Sequence, residues 1–201
     1  MQHTPADLAA IVAFVLEIDR LKGVERKTRP LGLGRLENSA EHSWQIALMA
    51  QQLAPFAPPG TDIARVVAML LVHDLGEIDT GDTLVYEEHG WAERKAAERA
   101  AVQRIFGLLP PAQAAEGLAL WAEFEAGETP SARFANAADR AMPVLLNLAN
   151  HGQSWREHGI THARVVARIR GPIEAGCPAL WAYLETRLAA AQAEGWFGAA
   201  A

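Results

Sequence analysis

Three ionisable side chains in this sequence interrupt helical stripes that are otherwise apolar. His42 is in register with Ile46, Met49 and Leu53, and Asp74 shares a face with Val67, Leu70 and Leu71. Asp139 lies in a stripe with Ala135, Ala138, Met142 and Leu146. A buried carboxylate is costly unless a cation, a strong donor or a metal satisfies it. One shared metal ion accounts economically for three such intrusions from three helices. His73 precedes Asp74 directly, and adjacent helical positions point about 100° apart. Both therefore reach one ion only if it sits near the end of their helix. Each residue has an ordinary alternative: a core histidine can be hydrogen-bonded, and a buried aspartate can pair with arginine. Arg140 follows Asp139, but adjacent positions on a helix do not face each other. It is the joint pattern that points to a metal.

The elements that must position these groups follow from pattern and punctuation. Stop signals divide the chain into about eight helical stretches. The first spans about Pro5 to Lys22, with Leu8, Ile11, Val12, Val15 and Ile18 as its stripe. Asn38 with Glu41 three residues later reads as a capping box, so the second helix starts there and brings His42 into its first turn. Pro55 and Pro58 end it. The third runs from about Asp62 to Leu75, before a loop marked by Gly76 and Gly81. Others span Trp91 to Phe106 and Pro111 to Glu125, and Thr129-Pro130 starts one reaching about Asn150. Pro143 offers no N–H to the Asp139 carbonyl, which predicts a kink or loosened turn where Asp139 projects. The last two lie near His162 to Arg170 and Pro178 to Glu194. No segment alternates, so the expected architecture is all-α: a single-domain helical bundle over residues 1–201.

Composition sets the outer limits. Half of the 201 residues are hydrophobic and 21% are charged, a balance that supports a packed core and excludes a largely disordered chain. No apolar run approaches the roughly 20 residues of a membrane-spanning helix, and no secretory signal is recognisable at the N-terminus. The single cysteine, Cys177, excludes an internal disulfide and fits a reducing compartment, so a cytoplasmic location is expected. A net charge of −6 argues against long nucleic acids as partners, though not against a small phosphorylated ligand. Arg26, Lys27, Arg29 and Arg35 form a local basic stretch that is either a solvated loop or a phosphate-facing one.

The runs "ENSAEHSW" around His42, "HDLGEIDTGD" from His73 to Asp82 and "ANAADR" around Asp139 resemble the HD-domain metal-dependent phosphohydrolases. The resemblance is to the branch with the bacterial 5′-deoxynucleotidases and their eukaryotic relatives, and it covers roughly residues 8 to 150 of this chain. It implies an all-helical HD domain, completed by the C-terminal helices, with one divalent ion held by His42, His73, Asp74 and Asp139. It also implies that Glu77 is the catalytic glutamate, on the same side as His73 if that helix continues. Asp82 matches the aspartate that lies near the substrate sugar, or else is a turn residue after Gly81. Family relatives are often homodimers. The deoxynucleotidases carry an Arg-Trp pair in the loop before the first histidine motif. Here that loop reads "VERKTRPLGLGR" and has no tryptophan, which leaves the choice between ribo- and deoxynucleotides open.

A site of two imidazoles and two carboxylates suits Mn²⁺, Co²⁺, Fe²⁺, Zn²⁺ or, less well, Mg²⁺. Such an ion polarises a phosphoryl oxygen and lowers the pKa of bound water. Glu77 would act as general acid/base, and a basic side chain from the Arg26–Arg35 stretch would neutralise the phosphate. The expected reaction is hydrolysis of a nucleoside 5′-monophosphate or similar small phosphate. Two alternatives are a non-catalytic module that binds metal and nucleotide, and an iron-dependent oxygenase on the same scaffold. A general acid/base at Glu77 counts against the first. The second would need extra histidines between the His-Asp pair and Asp139, where only His89 stands. The segment from Gly152 to Gly159 matches nothing in the family pattern, and Trp155 is expected in the core.

Overall fold

Helices begin where the sequence offers an oxygen to cap them. In the computed structural model, which describes residues 4–82 and 91–199, Thr4 and Asn38 each close a capping box, with Asp7 and Glu41. Asp62, Thr129 and Thr161 accept single capping bonds. These start α1 (Pro5–Ile18), α2 (Ser39–Gln52), α3 (Ile63–Val72), α7 (Pro130–Ala149) and α9 (His162–Gly176). Between and after them lie α4 (Glu77–Thr80), α5 (Trp91–Phe106), α6 (Pro111–Ala126), α8 (Gln153–Glu157) and α10 (Pro178–Ala193). The fold is all-α, as the sequence predicts. Among the described residues the only β pairing is an isolated antiparallel bridge between Glu25 and Asn38.

The core is organised around α7, which packs against α2, α3, α6, α9 and α10. Its buried side runs from Ser131 and Ala132 through Phe134, Ala138, Met142 and Leu146 to Leu148. Small residues let α9 come close: a Cβ on Gly176 would fall 2.0 Å from the Arg133 carbonyl oxygen. A second apolar cluster of Leu21, Val24, Leu75, Val102, Phe106 and Trp121 joins α5 and α6 to the segment after α1.

Several expectations are corrected. α1 stops at Ile18 and gives way to a 3-10 turn over Asp19–Gly23, and no residue of α1 is fully buried. Phe14 stacks on Phe106 with ring centroids 5.7 Å apart, which leaves Leu8, Val12, Val15 and Leu16 facing outward. α3 ends three residues early because its last turn tightens. The His73 ring Nδ1 takes the Leu70 carbonyl (2.9 Å), and Leu75 N–H bonds to Val72 three residues back. α7 runs on through Pro143 to Ala149, and because proline has no N–H the Asp139 carbonyl lacks its usual helical partner inside that helix. α9 likewise continues past Pro172 to Gly176, where a stop at Arg170 is expected. The short helices α4 and α8 are not foreseen. Trp155, on α8, is buried as expected and stacks on Phe197 (4.4 Å). His89 lies outside the described residues. No helix among them is long and apolar enough to cross a membrane.

Candidate metal centre and its cavity

Two helix ends and the middle of a third helix meet at one point. The Asn38 cap fixes the first turn of α2 and with it His42, which is wholly buried. The tight turn closing α3 presents His73 and Asp74, and α7 presents Asp139. Nitrogen and oxygen atoms of His42, His73 and Asp139 all lie within 4.8 Å of one another. His42 Nε2 is 3.0 Å and His73 Nε2 3.6 Å from Asp139 Oδ1. Asp74 stands at the edge of this group, with Oδ1 3.0 Å from His73 Nε2. Three of the four expected ligands therefore converge, and the fourth flanks them.

The chemistry of the donors fits a cation. His73 Nδ1 donates to the Leu70 carbonyl, so Nε2, which faces the carboxylates, is the ring nitrogen available to a metal. That Nε2 and His42 Nδ1 are buried polar atoms with no hydrogen-bond partner of normal geometry. Charge balance says the same. Burial lowers the His73 pKa, but Asp74 and Asp139 outweigh it and push the group up to about 10. Burial alone would raise the two aspartates; the imidazoles instead hold Asp139 well below the usual carboxylate range, and His73 with Arg26 brings Asp74 to about 2. Positive charge is strongly favoured between these groups.

A short antiparallel ribbon supplies the layer behind. Arg26 N–H bonds to the Glu37 carbonyl (2.8 Å), Glu37 N–H to Thr28 (2.9 Å) and Ser39 N–H to Val24 (3.0 Å). This pairing carries Glu37 and Arg26 to the site from opposite strands of the loop. Glu37 is buried, accepts from the Thr28 hydroxyl (2.8 Å) and stands 3.8 Å from His42 Nδ1. It stands behind the imidazole as a nearby negative charge, beyond hydrogen-bond reach of Nδ1. Arg26 Nη1 donates to Asp74 Oδ2 (2.7 Å) and lies 3.9 Å from Asp82, with Nε 3.6 Å from Glu37.

A cavity of about 380 Å³ opens beside these groups, lined by His73, Asp74, Glu77, Asp82, Asp139 and Arg26 among others. Glu77 begins α4 rather than extending α3, and it reaches the cavity because the intervening turn is tight. The Ser39 hydroxyl donates to its Oε2 at 2.6 Å. Burial and Asp74 push its pKa up to about 9 against the pull of Arg26. Asp82 follows Gly81, whose φ of +74° only glycine adopts without strain, and burial raises its pKa as well. The basic stretch divides. Arg26 and Lys27 line the cavity; Arg29 and Arg35 do not. Arg35 is exposed and its fork is paired with Glu41 (2.5 and 2.8 Å), while Arg29 lies 3.6 Å from Glu157.

The family model described as "HD domain" matches residues 18–181. A protein of Magnetospirillum magnetotacticum MS-1, described as a predicted metal-dependent phosphohydrolase, is 46% identical. Its solved structure superposes with a TM-score of 0.90 over 96% of this chain and 100% of that one. The PH0347 protein of Pyrococcus horikoshii OT3 is 22% identical, with a TM-score of 0.60 over 90% of this chain and 97% of the other; it shares the fold. Among curated proteins, the 5′-deoxynucleotidase HDDC2 of Danio rerio is 28% identical over 109 residues, 54% of this chain and 53% of that protein. The Homo sapiens protein of the same name is 26% identical over 137 residues, 68% of this chain and 66% of the other. The chain thus spans about half the length of the first of these relatives.

Proposed function

This chain belongs to the HD-domain family, and from that premise we propose that it is a metal-dependent phosphohydrolase, a phosphomonoesterase acting on nucleoside 5′-monophosphates or a similar small phosphate. The convergence of His42, His73 and Asp139 within 4.8 Å beside a cavity carries this reading. The names of the relatives, a predicted metal-dependent phosphohydrolase and 5′-deoxynucleotidases, support it.

In this reading His42, His73, Asp74 and Asp139 hold one divalent ion, and mixed nitrogen and oxygen donors suit Mn²⁺, Co²⁺, Fe²⁺ or Zn²⁺ better than Mg²⁺. When bound, the ion supplies Lewis-acid polarisation of the phosphoryl group and an activated water. The chain's own residues do the rest. Glu77 faces the cavity with its Oε2 anchored by Ser39, the placement of a general acid/base that hands a proton to the leaving sugar oxygen. Asp82 faces the same cavity from the turn after Gly81 and is the carboxylate for the sugar. Arg26 braces Asp74, and Lys27 lines the cavity as a further cation. We place the enzyme in the cytoplasm, as its one cysteine is buried and free, and we infer a homodimer from the outward apolar side of α1.

The test is phosphate release from ribo- and deoxynucleoside 5′-monophosphates, each with Mn²⁺, Co²⁺, Zn²⁺ or Mg²⁺ and a chelator control. Chelator-sensitive release from some members is expected, and the ribo/deoxy ratio then defines the preference. Metal bound with no release from any member would overturn the reading in favour of a binding module.

A further inference from the structure

The cavity holds a guanidinium to which the proposed chemistry has so far given no role. Arg140 follows Asp139 on α7 and lines the cavity with it. Its side chain is 23% exposed, yet Nε and Nη1 are buried without a hydrogen-bond partner. Among the described residues it stands beside Asp139, with Nε 3.7 Å from Oδ2, beyond hydrogen-bond reach. Charged N–H groups withdrawn from water without acceptors are costly, so a site that keeps them gains by receiving an acceptor there.

The geometry says what kind of acceptor. Asp139 separates two environments: Oδ1 meets His42 and His73, while Oδ2 meets Arg140. An anion seated in the cavity against the ligand set therefore borders this guanidinium too. A planar fork of donors matches an anion with two oxygens to offer, as a phosphoryl group has. Two other cations of the cavity are already committed, while Lys27, which also lines it, offers a compact ammonium and no planar fork. Arg26 is bonded to Asp74 and flanked by Glu37 and Asp82, and Lys95 lies between Glu98 and Glu125.

We propose that Arg140 is the phosphate anchor of this cavity, taking non-bridging oxygens of the substrate phosphoryl group, while Arg26 serves to hold the carboxylates in place. This rests on the phosphohydrolase reading. It also reassigns the phosphate contact from the loop before α2 to the face of α7 that carries Asp139. The adjacency of the two residues in sequence hides this role, because it invites only the question of whether they pair.

The probe is inorganic phosphate, titrated calorimetrically into the Co²⁺-loaded protein, with metal stoichiometry and thermal melting measured alongside. Arg140→Gln should keep the metal while its phosphate affinity falls by roughly 10- to 100-fold, the range for a lost charge-assisted hydrogen bond. Arg140→Lys should fall between the two, since it restores charge without the fork. Arg35→Gln, which removes an equal charge outside the cavity, should bind phosphate as the unaltered protein does. Phosphate affinity within about twofold of the unaltered protein in Arg140→Gln would overturn the proposal (such a change is no larger than that from an exposed charge). Loss of the metal in Arg140→Gln would overturn it too, making Arg140 a positioning residue for Asp139. If Arg140→Gln does not fold, phosphate affinity in Arg140→Lys equal to that of the unaltered protein would do the same. Arg140-dependent phosphate binding without turnover of any nucleotide would uphold the anchor and sink the phosphohydrolase reading. Turnover with an unchanged KM in Arg140→Gln would do the reverse.

Discussion

At the scale of residues, Asp139 does not work alone; His42, His73, Arg140 and, one layer back, Glu37 all depend on which way its carboxylate and the imidazoles face. Glu77→Gln should abolish turnover, by a factor of about 100 or more, while the protein still binds its metal. Asp139→Asn should weaken metal binding itself, measured by equilibrium dialysis. Glu37→Gln should lower metal affinity by roughly tenfold or less, because a carboxylate 3.8 Å from His42 Nδ1 acts on the site through its charge and not through a hydrogen bond. pH enters through His73. Its pKa, raised to about 10 by the carboxylates, means that the ligand set carries a proton at neutral pH and must release it to a metal. Affinity should therefore rise with pH below about 10, and titrations in buffers of different ionisation enthalpy should register proton release. For the metal-free fold the sign is opposite. The stability contributed by the raised group is fully present below its unfolded value near 6.5 and is lost as pH rises toward 10. His42, Asp74 and Asp139 were legible in the sequence because ionisable groups on apolar stripes have few explanations, and His73 followed as the neighbour of Asp74. Glu37 was not, since a glutamate within a basic loop reads as solvated until backbone pairing turns it inward.

At the scale of elements, caps and close approaches decide where these side chains arrive. Asn38→Ala removes the capping box that orients the turn bearing His42, and should cost about 1 kcal/mol in thermal or denaturant melts, with weaker metal binding. Gly176→Ala should cost more, about 1–3 kcal/mol, because its Cβ meets the Arg133 carbonyl of α7 and Ala137 at 2.7 Å. Gly76, buried between α3 and α4, tolerates little, with an added Cβ 3.0 Å from the Glu98 carbonyl. The start of α2 was readable from Asn38 and Glu41, and the start of α7 from Thr129 and Pro130. The end of α3 was not, because it follows from a histidine ring taking a helix carbonyl, which no residue pattern announces. Pro172 misleads in the other direction: α9, packed against α7 and α10, continues through it to Gly176.

At the scale of the whole molecule, the periodicity of α1 marks an apolar stripe but does not say what covers it. Much of that stripe faces outward, with Leu8 63% and Leu16 68% exposed. Contiguous apolar surface of this kind marks an association face. If the inferred homodimer uses it, Leu8→Glu combined with Leu16→Glu should shift sedimentation from dimer to monomer while leaving the fold intact. A monomer before substitution would refute the inference. The dependence of the chemistry on a single ion is read from stoichiometry. Protein stripped with chelator would be titrated with Co²⁺ or Mn²⁺ while phosphate release from a deoxynucleoside monophosphate is recorded. The account predicts no release from the stripped protein and full recovery at about one ion per chain, with Asp139→Asn recovering only at far higher metal, in line with the loss of a direct ligand. Release that survives stripping, or that stays absent with the ion bound, would contradict it.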